Sequence, residues 1–253
     1  MALRLHLATA AAVALAVAAA AADAADKPAV DAYDACMKLA REKPSDGRSQ
    51  ALAWRDAGGG APARHCLAVA LFDLGQSEEA ALQFEALAQD AGMPATEARA
   101  ELYAQAGQAW IHAGRFDRAF QAQNAALDLR PGDPDLLVDR AATLGSAGKY
   151  WEAIDDLNQA LQAAPGNADA LVLRASAYRR VGSLEMAHED ANRALAAQPR
   201  HVEGLLERGI VRRLIGDVAN ARKDWIAVLQ LRPDGPAADV ARANLEQTDI
   251  KAR

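Results

Sequence analysis

Between residues 168 and 199 the apolar positions fall on a helical stripe. Leu171, Ala175 and Tyr178 return at three- and four-residue steps with Arg174 among them, the spacing of one face of an α-helix. Gly182 interrupts the stripe where a helix would end. A second stripe carries Leu184, Ala187, Ala191 and Leu195, and Pro199 stops it. The pattern predicts helix, tight turn, helix. It then returns in phase. Glycines stand at 114, 148, 182 and 216, prolines at 131, 165, 199 and 233, and alanines at 119, 153, 187 and 221, each set in steps of 34. A helix pair of that length cannot bury its apolar face alone and must stack on its neighbours.

Residues at the remaining marker positions carry a family resemblance. One period supplies Tyr103, Gly107, Trp110, Gly114, Ala119, Ala126 and Pro131. The next gives Leu137, Ala141, Leu144, Gly148, Ala153, Leu157, Ala160 and Pro165, and the third Leu171, Ala175, Tyr178, Gly182, Ala187, Ala191, Ala194 and Pro199. The fourth has Leu205, Gly209, Gly216, Ala221, Trp225 and Pro233, with Arg212 at the aromatic position and Val228 at a small one. The sequence resembles the tetratricopeptide repeat family over residues 100–235. That resemblance implies an all-α fold, a right-handed α-solenoid of stacked helix-turn-helix repeats. Small residues at the crossing let the two helices of a repeat approach closely.

Extending the register sorts the rest of the chain. Ala68, Leu71, Gly75, Ala80, Phe84 and Leu87 fit an earlier, degenerate period, with about five extra residues near Gly92 and Pro94. The expected organisation is a signal peptide at 1–24, an irregular helix pair at 25–60 and a degenerate repeat at 61–99. Repeats at 100–133, 134–167, 168–201 and 202–235 follow, then a capping helix and tail at 236–253.

The first segment changes the setting. Arg4 and His6 precede an apolar, alanine-rich run from about Leu7 to Ala22, followed by Ala22–Asp23–Ala24. This is the order of a cleaved secretory signal, and the run falls short of what a membrane span prefers. Export to a bacterial periplasm, without membrane insertion after cleavage, is the expectation. The formal net charge of −6 offers no basic field for nucleic acid.

Three periods carry an arginine sixteen residues before an aspartate: Arg140/Asp156, Arg174/Asp190 and Arg208/Asp224. The period at 100–133 has Ala106 and Ala122 there, and the degenerate one Leu67 and Gln83, so both charges are absent together. The pattern predicts structural ion pairs between the first and second helix of a repeat, which fix register more than they add stability.

Sequence motifs for chemistry are mostly absent. No phosphate-binding glycine loop, G-x-S-x-G, H-E-x-x-H or C-x-x-C appears, and no cofactor, metal site or enzymatic activity is expected. Trp54, Trp110, Trp151 and Trp225 lie in helical stretches and read as packing residues. His65 adjoins Cys66, but neighbours on a helix diverge by about 100° and do not face each other, and no spaced ligands complete a metal site. In an oxidising compartment two cysteines more often pair. Cys36 sits in the first helix of its pair much as Cys66 does in its own. First helices of successive repeats are neighbours in the family, so a Cys36–Cys66 disulfide is expected, with free thiols or a reactive cysteine as the alternatives.

The family binds peptides and proteins through a face lined by first helices. Its groove positions fall here on Gln108, His112, Asp135, Val138, Ser146, Ser176, Arg179, Arg180 and Arg213. Arg179, Arg180 and Arg213 read as a seat for a carboxylate or acidic segment. The carboxylate clamp of chaperone-binding relatives uses Lys and Asn, whereas Ala104, Gln108, Val138, Ala142, Val172 and Ser176 stand here, which does not support that variant. The expected function is a non-enzymatic periplasmic interaction module binding a protein or peptide. The alternative is a cell-wall-active or carbohydrate-binding protein using Asp135 with Asp139. Self-association through the stack ends is a third reading.

Overall fold

The structure, a computed structural model, describes residues 27–90 and 95–251. The expected signal segment 1–24 and the Gly92 and Pro94 loop positions lie outside the described residues. Among the described residues the chain is all-α, with the solenoid architecture that the repeat implies. The helices are α1 Lys27–Glu42, α2 Pro44–Asp56, α3 Gly60–Asp73, α4 Ser77–Ala88, α5 Thr96–His112, α6 Phe116–Leu129, α7 Pro134–Ser146, α8 Tyr150–Ala163, α9 Ala168–Arg180, α10 Leu184–Ala197, α11 Val202–Leu214, α12 Val218–Leu231 and α13 Pro236–Lys251. Among the described residues, those through Asp139 form one compact unit and those from Arg140 onward a second.

Local chemistry sets where these helices begin and end. The Asn167 side chain accepts from the Ala170 amide at the start of α9, satisfying one of the orphan donors of the first turn. At the other end Gly182 takes φ +86°, a left-handed conformation open to glycine. It lets the Ser183 amide reach back to the Tyr178 carbonyl at 2.9 Å, the bond that closes a helix and turns the chain into α10.

In the N-terminal unit α1 packs on α2 and α3, and α3 packs also on α4. Residues 65–71 of α3 are all buried, so this helix is covered on every side, as an apolar helix inside a domain must be. Cys36, Cys66, Leu71, Phe84, Leu87, Leu102 and Trp110 share its core. Close approach is needed at α2: a Cβ on Gly47 would lie 2.4 Å from the Ala40 Cα of α1.

The C-terminal unit packs through apolar clusters. Ile154, Ala177, Tyr178, Ala187 and Val211 form one. Leu195, Val202, Leu205, Trp225 and Val228 form another, together with Ala237 and Ala241 of α13. The terminal helix thus covers the apolar end of the last repeat, as a cap must, and Arg222 of α12 donates to Thr248 Oγ1 at 2.7 Å to hold it. The tryptophans divide. Trp110 and Trp225 are buried, but Trp151 is 60% exposed, against the expectation that all four pack. It is the second residue of α8, and its neighbour Tyr150 takes the place against the core.

Gly209 of α11 faces the Trp225 ring, and a Cβ there would sit 2.4 Å from Nε1. The indole cannot retreat, because it is fully buried. Gly209→Ala is therefore expected to destabilise the chain by about 1–3 kcal/mol through overpacking, even though alanine is the better helix former. Chemical denaturation followed by Trp fluorescence checks this; an unchanged midpoint would mean that α11 and α12 are farther apart than described.

Candidate functional site

The interior charges lie on the contacts between helices. Arg140 donates to Asp156 through Nε at 2.8 Å and Nη2 at 2.7 Å. Arg174 does the same to Asp190 at 2.7 and 2.8 Å, and Arg208 to Asp224 at 3.0 and 2.8 Å. All three are two-point contacts of a planar guanidinium with a carboxylate. The structure adds a partner that the spacing analysis missed. Nη1 of Arg174 reaches Asn158 Oδ1 at 2.7 Å, and Nη1 of Arg208 reaches Asn192 Oδ1 at 3.2 Å. Each arginine thereby joins the second helix of its own repeat to that of the repeat before. The signal was present: Asn158 and Asn192 stand 34 apart, each sixteen residues ahead of its arginine.

In the N-terminal unit Cys36 and Cys66 form a disulfide linking α1 to α3, with a Cα–Cα distance of 6.2 Å. His65 takes no part in thiol chemistry. Its Nδ1 lies 2.7 Å from Tyr33 Oη and its Nε2 3.0 Å from Gln105 Oε1. The glutamine oxygen can only accept, so Nε2 carries the proton and Nδ1 accepts from the tyrosine. The histidine ties α1, α3 and α5 together, and burial lowers its pKa from 6.5 to about 4.

The groove candidates divide between the units. On α5, Gln108 Nε2 lies 3.5 Å from Asp139 Oδ2. His112 is exposed, edge-on to Phe72 with ring centroids 5.0 Å apart. Asp135 is exposed, in the first turn of α7, where its amide donates to Asp133 Oδ1 at 3.1 Å. Burial, reinforced by Asp135, Glu101 and Asp133, raises the Asp139 carboxyl from 3.8 to about 7, although Gln108 opposes the shift. Val138 is buried, and Ser146 Oγ donates to the Ala142 carbonyl within its own helix.

His65 and Asp139 pull the pH dependence of this unit in opposite directions. Between pH 6.5 and 4 the unfolded chain protonates His65 while the folded chain does not, so that residue costs stability as pH falls. Asp139 holds its proton more tightly when folded, so it gains stability over the same range. From pH 6.5 to 5 the stability of His65→Gln relative to wild type should move by about 2 kcal/mol in the variant's favour. Asp139→Asn should move the other way. Urea titrations at the two pH values test both signs, and parallel curves for all three proteins would refute both assignments.

In the C-terminal unit the expected arginine seat is not a single site. Arg179 of α9 contacts Glu207 of α11 through Nε at 2.5 Å and Nη2 at 3.3 Å, and Nη2 also reaches Ser176 Oγ at 3.4 Å. Arg180 turns to α8, where its Nε donates to Tyr150 Oη at 3.0 Å and its guanidinium lies over the ring. Only Arg213 is without such a partner; its Nε is buried and makes no hydrogen bond among the described residues. Buried Glu207 explains the correction. It occupies one arginine internally, and no repeat of the pattern marks it in the sequence.

Among the described residues no group of three or more His, Cys, Asp or Glu side chains is placed to hold a metal ion. No described helix is long and apolar enough to cross a membrane.

Comparison with known proteins places these observations in a family. Two profiles described as tetratricopeptide repeat match, one over residues 106–177 and one over 67–134 and 174–236. No curated protein matches the chain. Among solved structures, MamA residues 41 to the end from Desulfovibrio magneticus RS-1 superposes with a TM-score of 0.59, at 23% identity, over 68% of this chain and 95% of that one. A chain of the APC/C hetero-tetramer Cut9–Hcn1 gives 0.66 at 17% identity, over 87% of this chain and 43% of its own. YrrB, described as having an unusual peptide-binding site, gives 0.54 at 15% identity, over 77% and 96%. These likenesses show the same fold. The profiles cover the periods from Leu67 to Pro236, and the chain belongs to the tetratricopeptide repeat family.

Proposed function

We propose that the chain is a non-enzymatic interaction module, exported to the bacterial periplasm, that binds a peptide or protein partner through the face lined by the first helix of each repeat. The repeat array carries this reading. A stacked helix pair uses its apolar face on its neighbours, and tetratricopeptide arrays are scaffolds suited to protein–protein interaction. First helices here keep Gln108, Ser176 and Arg213 only partly buried. A peptide-binding site in YrrB, a fold neighbour, is in keeping with such a use. Export is supported by the signal-like first residues and by the disulfide, which persists in oxidising compartments.

The test is photo-cross-linking in the native host. A photoreactive residue at Ser176 should trap a discrete protein partner, and one at exposed Gln159 on the second helix of the preceding repeat should trap none. Adducts at Gln159 and not at Ser176 would overturn the choice of face. One observation favours a second reading. Asp139 stands one helical turn after Asp135 on α7, and burial raises its carboxyl to about 7, the range a general acid–base group uses. A cell-wall-active protein would then degrade peptidoglycan and lose that activity in Asp139→Asn.

A further inference from the structure

The last turns of α9 and α11 carry four arginines, Arg179, Arg180, Arg212 and Arg213. Three are engaged inside the fold. Arg179 holds Glu207, Arg180 lies on Tyr150, and Arg212 donates to Asp224 at 2.7 Å. Arg213 has no ion pair among the described residues, and its Nε is without a hydrogen-bond partner. Yet the side chain is only partly buried.

The repeat itself indicates what Arg213 lacks. Arg213 stands 34 residues after Arg179, so it is the same position one repeat later. At Arg179 the partner comes from the next first helix, where Glu207 presents both carboxylate oxygens to Nε and Nη2. The residue 34 beyond Glu207 is Ala241, on the capping helix α13. It is fully buried beside Ala237 and Trp225. The terminal repeat therefore keeps the cation and omits the anion. Filling the position with a carboxylate would supply the charge-assisted, two-point contact that guanidinium favours.

We propose that Arg213 is a carboxylate receptor for an acidic segment of a protein partner, which takes the place at the end of the array that Glu207 takes at Arg179. This rests on the interaction reading above and specifies its chemistry. The partner supplies an Asp or Glu side chain in an acidic stretch, and its charge offsets a cation with no ion pair among the described residues. Ala241→Glu would supply the missing acid from within and close the site.

The test uses the ¹⁵N-labelled full chain and follows arginine Nε–H resonances by NMR. The probe is an end-blocked ten-residue peptide alternating Glu and Ala, and the control is its Lys–Ala counterpart. The Arg213 resonance, assigned by its loss in Arg213→Gln, should move saturably with the acidic peptide only, while that of Arg179 stays in place. Peptide affinity should fall at least tenfold in Arg213→Gln and less than twofold in Arg200→Gln, an exposed arginine between helices. Ala241→Glu, if it folds, should shift the Arg213 resonance without peptide and abolish the response. A static Arg213 resonance, or an equal response to the Lys peptide, overturns the proposal. So does acetate acting as strongly per carboxylate as the peptide, which would leave a small-anion site. Cross-linking from Ser176 succeeds or fails independently of this titration, so failure of the receptor is distinguishable from failure of the interaction reading.

Discussion

Replacing Cys36 and Cys66 together by alanine is expected to lower the stability of the N-terminal unit by about 3.5 kcal/mol. The bond joins residues 30 apart, and the chain-entropy relation gives roughly that figure for a loop of this size. Packing adds to the case. Both sulfurs are fully buried between α1 and α3, and α1 has no earlier described helix to lean on. The hydrogen bond from Tyr33 to His65 depends on the same docking of α1, so loss of the bond should expose that histidine. Hydrogen exchange read by mass spectrometry should show faster exchange in α1 and α2, with α9–α12 unchanged, since each repeat contacts only its neighbours. A variant whose α1 amides exchange as slowly as wild type would show that packing alone seats the helix.

Asp190→Ala is expected to cost about 3–5 kcal/mol, the penalty for breaking a buried pair by removing one partner. Asp190 is 4% and Arg174 14% exposed at the side chain, so water can do little to replace the lost carboxylate. Arg174 would keep its hydrogen bond to Asn158 and its place over the Tyr178 ring, but it would lose the carboxylate that meets its Nε and Nη2. The companion expectation separates pairing from packing. Arg174→Met with Asp190→Leu removes both charges and keeps most of the volume, so it should recover a large part of the loss. Equilibrium unfolding of the two proteins decides this. A double variant no better than Asp190→Ala would place the cost in the Asn158 contact.

The repeat was legible because it is written several times over in one chain. The 34-residue recurrence of Gly182, Pro199 and Ala187 with their counterparts sets the helix ends and crossings, and backbone geometry then leaves little freedom. Arg174 and Asp190, sixteen residues apart, were visible because Ala106 and Ala122 lose both charges at once. Glu207 and Arg179 left no such trace. They lie 28 residues apart on different repeats and occur once, so no second copy marks them as partners. The His65 network was hidden for a related reason. Tyr33, His65 and Gln105 meet only through the docking of three helices in the least regular part of the array. Trp151 misled because a tryptophan in a helical stretch reads as a packing residue, whereas its exposure depends on which of two adjacent aromatic residues, Tyr150 or Trp151, turns to the core.

The most direct test of the interaction reading is calorimetric titration of the cross-linked partner, purified, against three proteins. Ser176→Trp obstructs the first-helix face of the third full repeat, and Gln159→Trp adds the same bulk to an exposed site on the second helix before it. Both must keep the wild-type melting temperature for the comparison to count. Gln159→Trp is expected to bind with wild-type affinity and Ser176→Trp at least tenfold more weakly. Undiminished binding by Ser176→Trp, with loss in Gln159→Trp, would contradict the interaction reading.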